Sequence, residues 1–150
     1  MFDIIRCEAD PRSFGFERFY SYDSVKDRIV SCPTVVDAEK HKNRKTLITL
    51  GDFAFDEGAM KLIAEKKSAC ILIDLGRLMR SRGVPRAIAF SKLRTFLAMC
   101  NRFGVFYSFA TFAENQNQIR NTDELQHIAM LLGINRGQAK FALKMLKEYL

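Results

Sequence analysis

Cys70-Ile71-Leu72-Ile73-Asp74-Leu75 is an almost unbroken run of β-branched and leucine side chains interrupted by a single carboxylate. A strand wet on one face alternates apolar with polar residues, so a run without alternation belongs to a strand covered on both faces, the habit of parallel sheets in α/β proteins. The flanking residues agree. Upstream, Asp56 is the N-cap of a helix with Met60, Ile63 and Ala64 on one face, ending at Lys66-Lys67, where cations complement the helix dipole. Downstream, an arginine-rich turn leads to a helix that Pro85 opens, that runs to Phe103 and that Gly104 closes. On it Phe90, Leu93, Phe96, Leu97, Cys100 and Phe103 share one arc, and Ser91, Arg94, Thr95, Asn101 and Arg102 the opposite one.

Further upstream the sequence predicts a strand at Thr46–Leu50, a polar surface loop at Asp37–Lys45, a strand at Arg28–Cys32 stopped by Pro33, a short helix within Gly15–Lys26 and a strand at Phe2–Ala9 closed by Asp10-Pro11. Towards the C-terminus it predicts a strand at Val105–Ala110 and two helices. Asn121 with Glu124 starts the first, which carries Leu125, Ile128, Ala129 and Leu132 and stops at Gly133. Asn135 with Gln138 starts the second, whose Phe141, Leu143, Leu146 and Tyr149 are expected to pack on the sheet. About five strands alternating with helices make an α/β parallel sheet with right-handed crossovers. Neither GxGxxG nor GxxxxGK[ST] occurs, so no nucleotide-binding loop is expected.

At 150 residues and 48% apolar, the chain can bury one ordinary core and reads as a single domain over residues 1–150. No apolar run approaches the ~20 residues that span a bilayer, and MFDIIRCEAD lacks the features of a signal peptide, so a soluble cytoplasmic protein without a membrane partner is expected. Cys7, Cys32, Cys70 and Cys100 lie far apart in apolar surroundings and read as reduced, buried thiols. With no Cys-x-x-Cys and only His41 and His127 as imidazoles, no metal site is expected.

The net charge of +7 favours a polyanionic partner, nucleic acid or an anionic surface. Residues 1–75 hold 12 Lys/Arg against 13 Asp/Glu, a net of −1, and residues 76–150 hold 12 against 4, a net of +8. From Leu75 to Ala113 there is no carboxylate, but there are seven cations: Arg77, Arg80, Arg82, Arg86, Lys92, Arg94 and Arg102. Neutral surfaces intersperse both signs, so this stretch reads as a phosphate-binding surface.

Three blocks carry a family resemblance: FDEGAMKLIAEKKSACILIDLGRLMRSRG (Phe55 to Gly83), AFSKLRTFLAMCNRFGVFYSFATFA (Ala89 to Ala113) and IRNTDELQHIAMLLGINRGQAKFAL (Ile119 to Leu143). In this order and spacing they resemble the barrel-type protein subunit of archaeal and eukaryotic ribonuclease P, related in fold to polymerase-and-histidinol-phosphatase phosphoesterases. The resemblance implies a shortened, TIM-barrel-like parallel sheet flanked by helices, lacking the first strand–helix units of the family. It also implies an RNA-binding subunit with no catalytic residue of its own. Its partners would be ribonuclease P RNA, precursor tRNA through the holoenzyme and a small ferredoxin-like subunit in a heterotetramer. The catalytic RNA would use Mg2+, and the chain itself would hold no cofactor. The chain departs from the family at Ser108-Phe109, Thr111-Phe112 and Asn121-Thr122. It also lacks any His-x-His, the start of the phosphoesterases' metal cluster, which weighs against an independent metal-dependent hydrolase.

The leading RNA contacts are Arg77, Arg80, Arg82 and Arg86, just past the end of the Cys70–Leu75 strand, where α/β sheets bind ligands. Arg94 and Arg102 extend the surface along the next helix, and Arg120 matches the family's Ile-Arg position, although a salt bridge to Asp123 or Glu124 would account for it equally. Asp74 reads as a cap of the arginine-rich turn rather than a catalytic carboxylate. Phe14, Phe16, Phe19, Tyr20 and Tyr22 are either stacking platforms for bases or core. Two rival readings remain at this level, a reduced metal-dependent phosphoesterase and a structural protein–protein module.

Overall fold

In the computed structural model, which describes residues 1–150, six short strands alternate with helices. The strands are β1 (Phe2–Ile5), β2 (Arg18–Ser21), β3 (Ile29–Cys32), β4 (Leu47–Leu50), β5 (Cys70–Asp74) and β6 (Tyr107–Ala110). The helices are α1 (Tyr22–Val25), α2 (Val35–Ala38), α3 (Glu57–Lys66), α4 (Leu75–Arg80), α5 (Gly83–Phe103), α6 (Thr122–Leu131) and α7 (Arg136–Tyr149). The strands β3, β4, β5 and β6 lie side by side in chain order, all parallel, with Ile29 opposite Leu47, Leu47 opposite Cys70 and Ile71 opposite Tyr107. The architecture is mixed α/β, with parallel strands flanked by helices.

The apolar run of β5 is explained by its two neighbours. Ile71 and Ile73 enter the larger core with Phe96 and Leu97 of α5 and Met60 and Ile63 of α3, and Cys70 and Leu72 enter a second core on the other face. That second core is closed by Phe2 and Ile4 of β1 and by Leu146 and Tyr149 at the end of α7. The Arg28 guanidinium donates to the main-chain oxygen of Leu150, fixing the end of α7 near the start of β3.

β1 and β2 form a separate parallel pair, Phe2 opposite Arg18 and Ile5 opposite Ser21. The chain leaving β6 joins this pair to the larger sheet. Phe112 N–H donates to the Ile4 carbonyl at 2.9 Å and Arg6 N–H to the Ala113 carbonyl at 2.8 Å. Phe112 takes a left-handed φ of 48°, uncommon outside glycine, where the chain turns along β1. The N-terminal strands therefore lie beside the segment that follows β6. No strand pairing joins β2 to β3, so the parallel strands do not form a closed barrel.

Several sequence expectations need correction. The strand count is six, because Arg18–Ser21, inside the stretch read as a short helix, is a strand, and only Tyr22–Val25 is helical. The first strand ends at Ile5 and does not continue to Ala9. Asp37–Lys45 is not a plain loop: α2 reaches Ala38 and Glu39–His41 adds a 3-10 turn. The arginine-rich turn is the helix α4, capped by the Asp74 carboxylate, which accepts from Arg77 N–H at 2.7 Å. Phe141 is 55% exposed, since a residue two positions from Leu143 lies some 200° round the helix and cannot share its stripe. Cys32, Cys70 and Cys100 are buried free thiols, but Cys7 is only partly buried. Both predicted capping boxes are present, Asn121 with Glu124 and Asn135 with Gln138.

Candidate nucleic-acid interface

Parallel strands deliver their C-terminal ends to one side, and the side chains just past those ends form a common rim. Here the rim encloses a cleft of about 730 Å³. Arg6 arrives from the end of β1, Asp52 from beyond β4, Asp74 from β5, Arg77 from α4 and Lys92 from α5. Leu72, Leu78, Leu93 and Phe112 line its apolar part. The Arg6 guanidinium lies over the Tyr22 ring, 3.8 Å from its centroid, and 6.0 Å from that of Phe112. Stacking of this kind holds a planar cation without consuming its hydrogen-bond donors.

The carboxylates in and behind the rim are engaged within the fold. Asp52 accepts from Lys92 Nζ at 3.0 Å, and that bond holds its carboxyl below the ordinary carboxylate range. Burial raises the Asp74 carboxyl, while the bond from Arg77 N–H partly offsets it. Behind the rim Asp3 is fully buried. It accepts from the Thr111 N–H at 2.8 Å, the Thr111 hydroxyl at 2.6 Å and Ile4 N–H at 2.8 Å. Burial pushes its carboxyl up to about 7 against the lowering effect of those bonds. No three His, Cys, Asp or Glu side chains come together in a metal-binding group.

The seven arginines read as RNA contacts do not form one patch. Arg77 rims the cleft, and Arg82, between α4 and α5, is exposed. Arg80 turns back to the fold, its Nη1 3.5 Å from the Thr111 carbonyl and 3.4 Å from Gln118 Oε1. Arg86 and Arg120 meet across a smaller depression of about 200 Å³ with Met79, Phe90 and Leu131. Arg120 makes no salt bridge with Asp123 or Glu124. Its Nη1 donates to the Asn117 carbonyl at 2.8 Å, and Asp123 pairs with Arg136 at 3.3 Å. Arg94 is exposed midway along α5, beside Gly133. Arg102 stands at the far end of that helix, about 24 Å of helical rise beyond Arg86. Arg77, Arg80, Arg82, Arg86 and Arg120 thus gather around α4 and the start of α5, Arg94 flanks them, and Arg102 lies apart.

Sequence reasoning missed Arg6 and the Asp3–Thr111 connection. Arg6 follows a strand directly, as Arg77 follows β5 by three residues, and that position was the available signal. The aromatic group is mostly structural: Phe16 is buried, its ring 5.1 Å from Phe19, and Tyr20 packs on Phe2 at 6.1 Å. Tyr22 is the member that reaches the cleft. No helix is long and apolar enough to cross a membrane.

No family model matches the chain. Ribonuclease P protein component 3 of Archaeoglobus fulgidus is 28% identical over 99 residues, covering 65% of this chain and 49% of the relative. The chain thus spans about half the length of the curated relative it matches. A chain in the cryo-EM structure of archaeal ribonuclease P with mature tRNA has the same fold, with a TM-score of 0.70 at 16% identity over 99% of this chain and 78% of that one. The resemblance carried by the three sequence blocks thus agrees with an independent sequence match and a fold match: the chain is similar in sequence to protein component 3 of archaeal ribonuclease P and shares the fold of a chain in the archaeal ribonuclease P structure.

Proposed function

We propose that this chain is a protein subunit of ribonuclease P that binds and organises the catalytic RNA for 5′ maturation of precursor tRNA. The observation that carries this reading is the match to protein component 3, made by a chain whose residues 76–150 hold 12 cations against 4 carboxylates. The arginines around α4 and the start of α5 are its RNA surface, since guanidinium groups grip phosphate oxygens and stack on bases. The chain supplies no catalytic group; cleavage belongs to the RNA and its Mg2+. Residues 1–150 act as one domain in the cytoplasm, with a ferredoxin-like ribonuclease P subunit as protein partner in a heterotetramer.

The fold is a shortened relative of the eight-stranded TIM-type barrel. The contact between β1 and the segment after β6 supports this, because first and last strands are neighbours in such barrels. The gap between β2 and β3 is where strands would be missing. Purification of the tagged chain from its native cell tests the assignment. Ribonuclease P RNA and the ferredoxin-like subunit are expected to come down with it, and recovery of the chain free of that RNA overturns the proposal.

A further inference from the structure

We propose that the cleft at the C-terminal ends of the strands binds a single ribonucleotide unit, a flat base carrying a phosphate. This deepens the RNA-binding reading and rests on it for the choice of a ribonucleotide over other flat anions. Three observations carry it. First, Arg6 and Arg77 reach the cleft from β1 and α4, and neither guanidinium takes part in an ion pair. Both carboxylates of the rim are engaged, Asp52 by Lys92 and Asp74 by Arg77 N–H. The donors left over are available to an anion. Second, Arg6 is oriented before any ligand arrives, because its guanidinium is stacked on Tyr22. A charged donor fixed in advance loses little side-chain entropy on binding.

Third, the cleft is not a bare anion site. Tyr22, Phe112, Leu72 and Leu78 give it aromatic and aliphatic walls, and Ser31, Thr49 and Ser81 place hydroxyls along it. Its volume of about 730 Å³ falls among ordinary small-ligand sites. Inorganic phosphate would leave the apolar wall wet, and a purely apolar ligand would leave the guanidinium groups without partners. A nucleotide satisfies both, with phosphate on the edges of Arg6 and Arg77, the base stacked on the open face of the Arg6 guanidinium beside the apolar wall, and ribose near the hydroxyls.

The nucleotide could be free or part of an RNA strand, and the two arms of one experiment separate these sources. Binding of adenosine 5′-monophosphate to the full chain is measured by titration calorimetry, with adenosine as the phosphate-free control. A 5′-phosphorylated single-stranded oligoribonucleotide then competes. The monophosphate is expected to bind at least about tenfold more tightly than adenosine, and Arg6→Gln or Arg77→Gln to weaken it about tenfold. Displacement by the oligonucleotide assigns the site to an RNA strand; failure to displace assigns it to free mononucleotides. No binding of either probe, or binding indifferent to both substitutions, overturns the proposal. On the unaltered protein, irradiation with 4-thiouridine 5′-monophosphate is expected to crosslink the peptide holding Tyr22 or that holding Phe112, and crosslinks confined to other segments overturn it. Recovery of ribonuclease P RNA with the tagged chain does not depend on the cleft, so an empty cleft leaves the RNA-binding reading standing.

Discussion

The Asp3 carboxylate and Thr111 form a buried two-point connection, N–H to Oδ1 at 2.8 Å and hydroxyl to Oδ2 at 2.6 Å, across a sequence separation of 108 residues. It ties the first strand to the end of the last. Because burial raises the Asp3 carboxyl to about 7, the folded protein holds this proton more firmly than the unfolded chain, whose carboxyl titrates near 3.8. The stabilising contribution of the protonated group is complete below about pH 4 and is lost as pH rises towards 7. In Asp3→Asn that slope disappears. Denaturant midpoints from pH 4 to 8 are expected to fall with rising pH in the wild type and to stay level over this range in the variant, after correction for other carboxylates.

Gly76 faces the same junction. A Cβ there would stand 1.8 Å from the Thr111 carbonyl oxygen, and backbone cannot give way as a flexible side chain can. Gly76→Ala is expected to destabilise the fold by about 3 kcal/mol or more, through overpacking at a fixed backbone contact. Thermal unfolding measures this, and a melting temperature within a degree of wild type would contradict the close approach of α4 to the chain after β6.

The arginines around α4 and α5 give a sharper RNA test once their different roles are separated. Arg77, Arg80, Arg82 and Arg86 are all exposed, but Arg80 bonds to Thr111 and Gln118, so removing it mixes folding with binding, whereas the side chains of the other three make no hydrogen bond within the fold. The triple variant Arg77→Ala, Arg82→Ala, Arg86→Ala is expected to retain its melting temperature while weakening RNA binding. The slope of log affinity against log salt should shrink by roughly 0.7 to 0.9 for each phosphate that the variant no longer neutralises. Arg102→Ala, at the far end of α5, should leave both nearly unchanged.

The four cysteines differ in access. Burial raises all four thiols, so access alone separates them: Cys32, Cys70 and Cys100 are buried, and Cys7 is partly open. A maleimide is expected to modify Cys7 in the folded protein within minutes and the others only on unfolding. Peptide mapping that found Cys70 or Cys100 labelled first would show that β5 and α5 open locally.

The parts of the fold legible in the sequence are those decided by local chemistry. Cys70–Asp74 announced a strand covered on both faces because it had almost no polar residue to offer water, and Asn121–Glu124 and Asn135–Gln138 announced helix starts because each capping box closes within one turn. β2 was illegible for the opposite reason. Arg18–Ser21 is exposed at both ends and half-buried between, and only its partner β1 makes it a strand. α4 escaped because six residues around Gly76 carry too little periodicity to mark a helix. The candidate interface was half legible. Arg77 to Arg86 lie together in sequence and in space, whereas Arg6 joins Arg77 only because parallel strands end on the same side. The helix from Pro85 to Phe103 was legible at nearly its full length, but counting Arg102 with the other arginines overlooked that this length carries it away from them.

The placement of β1 also sets an order of events during synthesis. The strands β3 to β6 each pair with the next one made, so that sheet can grow as the chain emerges. β1 and β2 are made first, yet their connection to the rest waits for Thr111, Phe112 and Ala113. Two short strands do not hold alone in water, so this pair stays unsettled until that segment is made. Its apolar Phe2, Ile4 and Ile5 are then open to chaperones or to neighbouring chains until Phe112, Ala113 and α7 arrive to cover them.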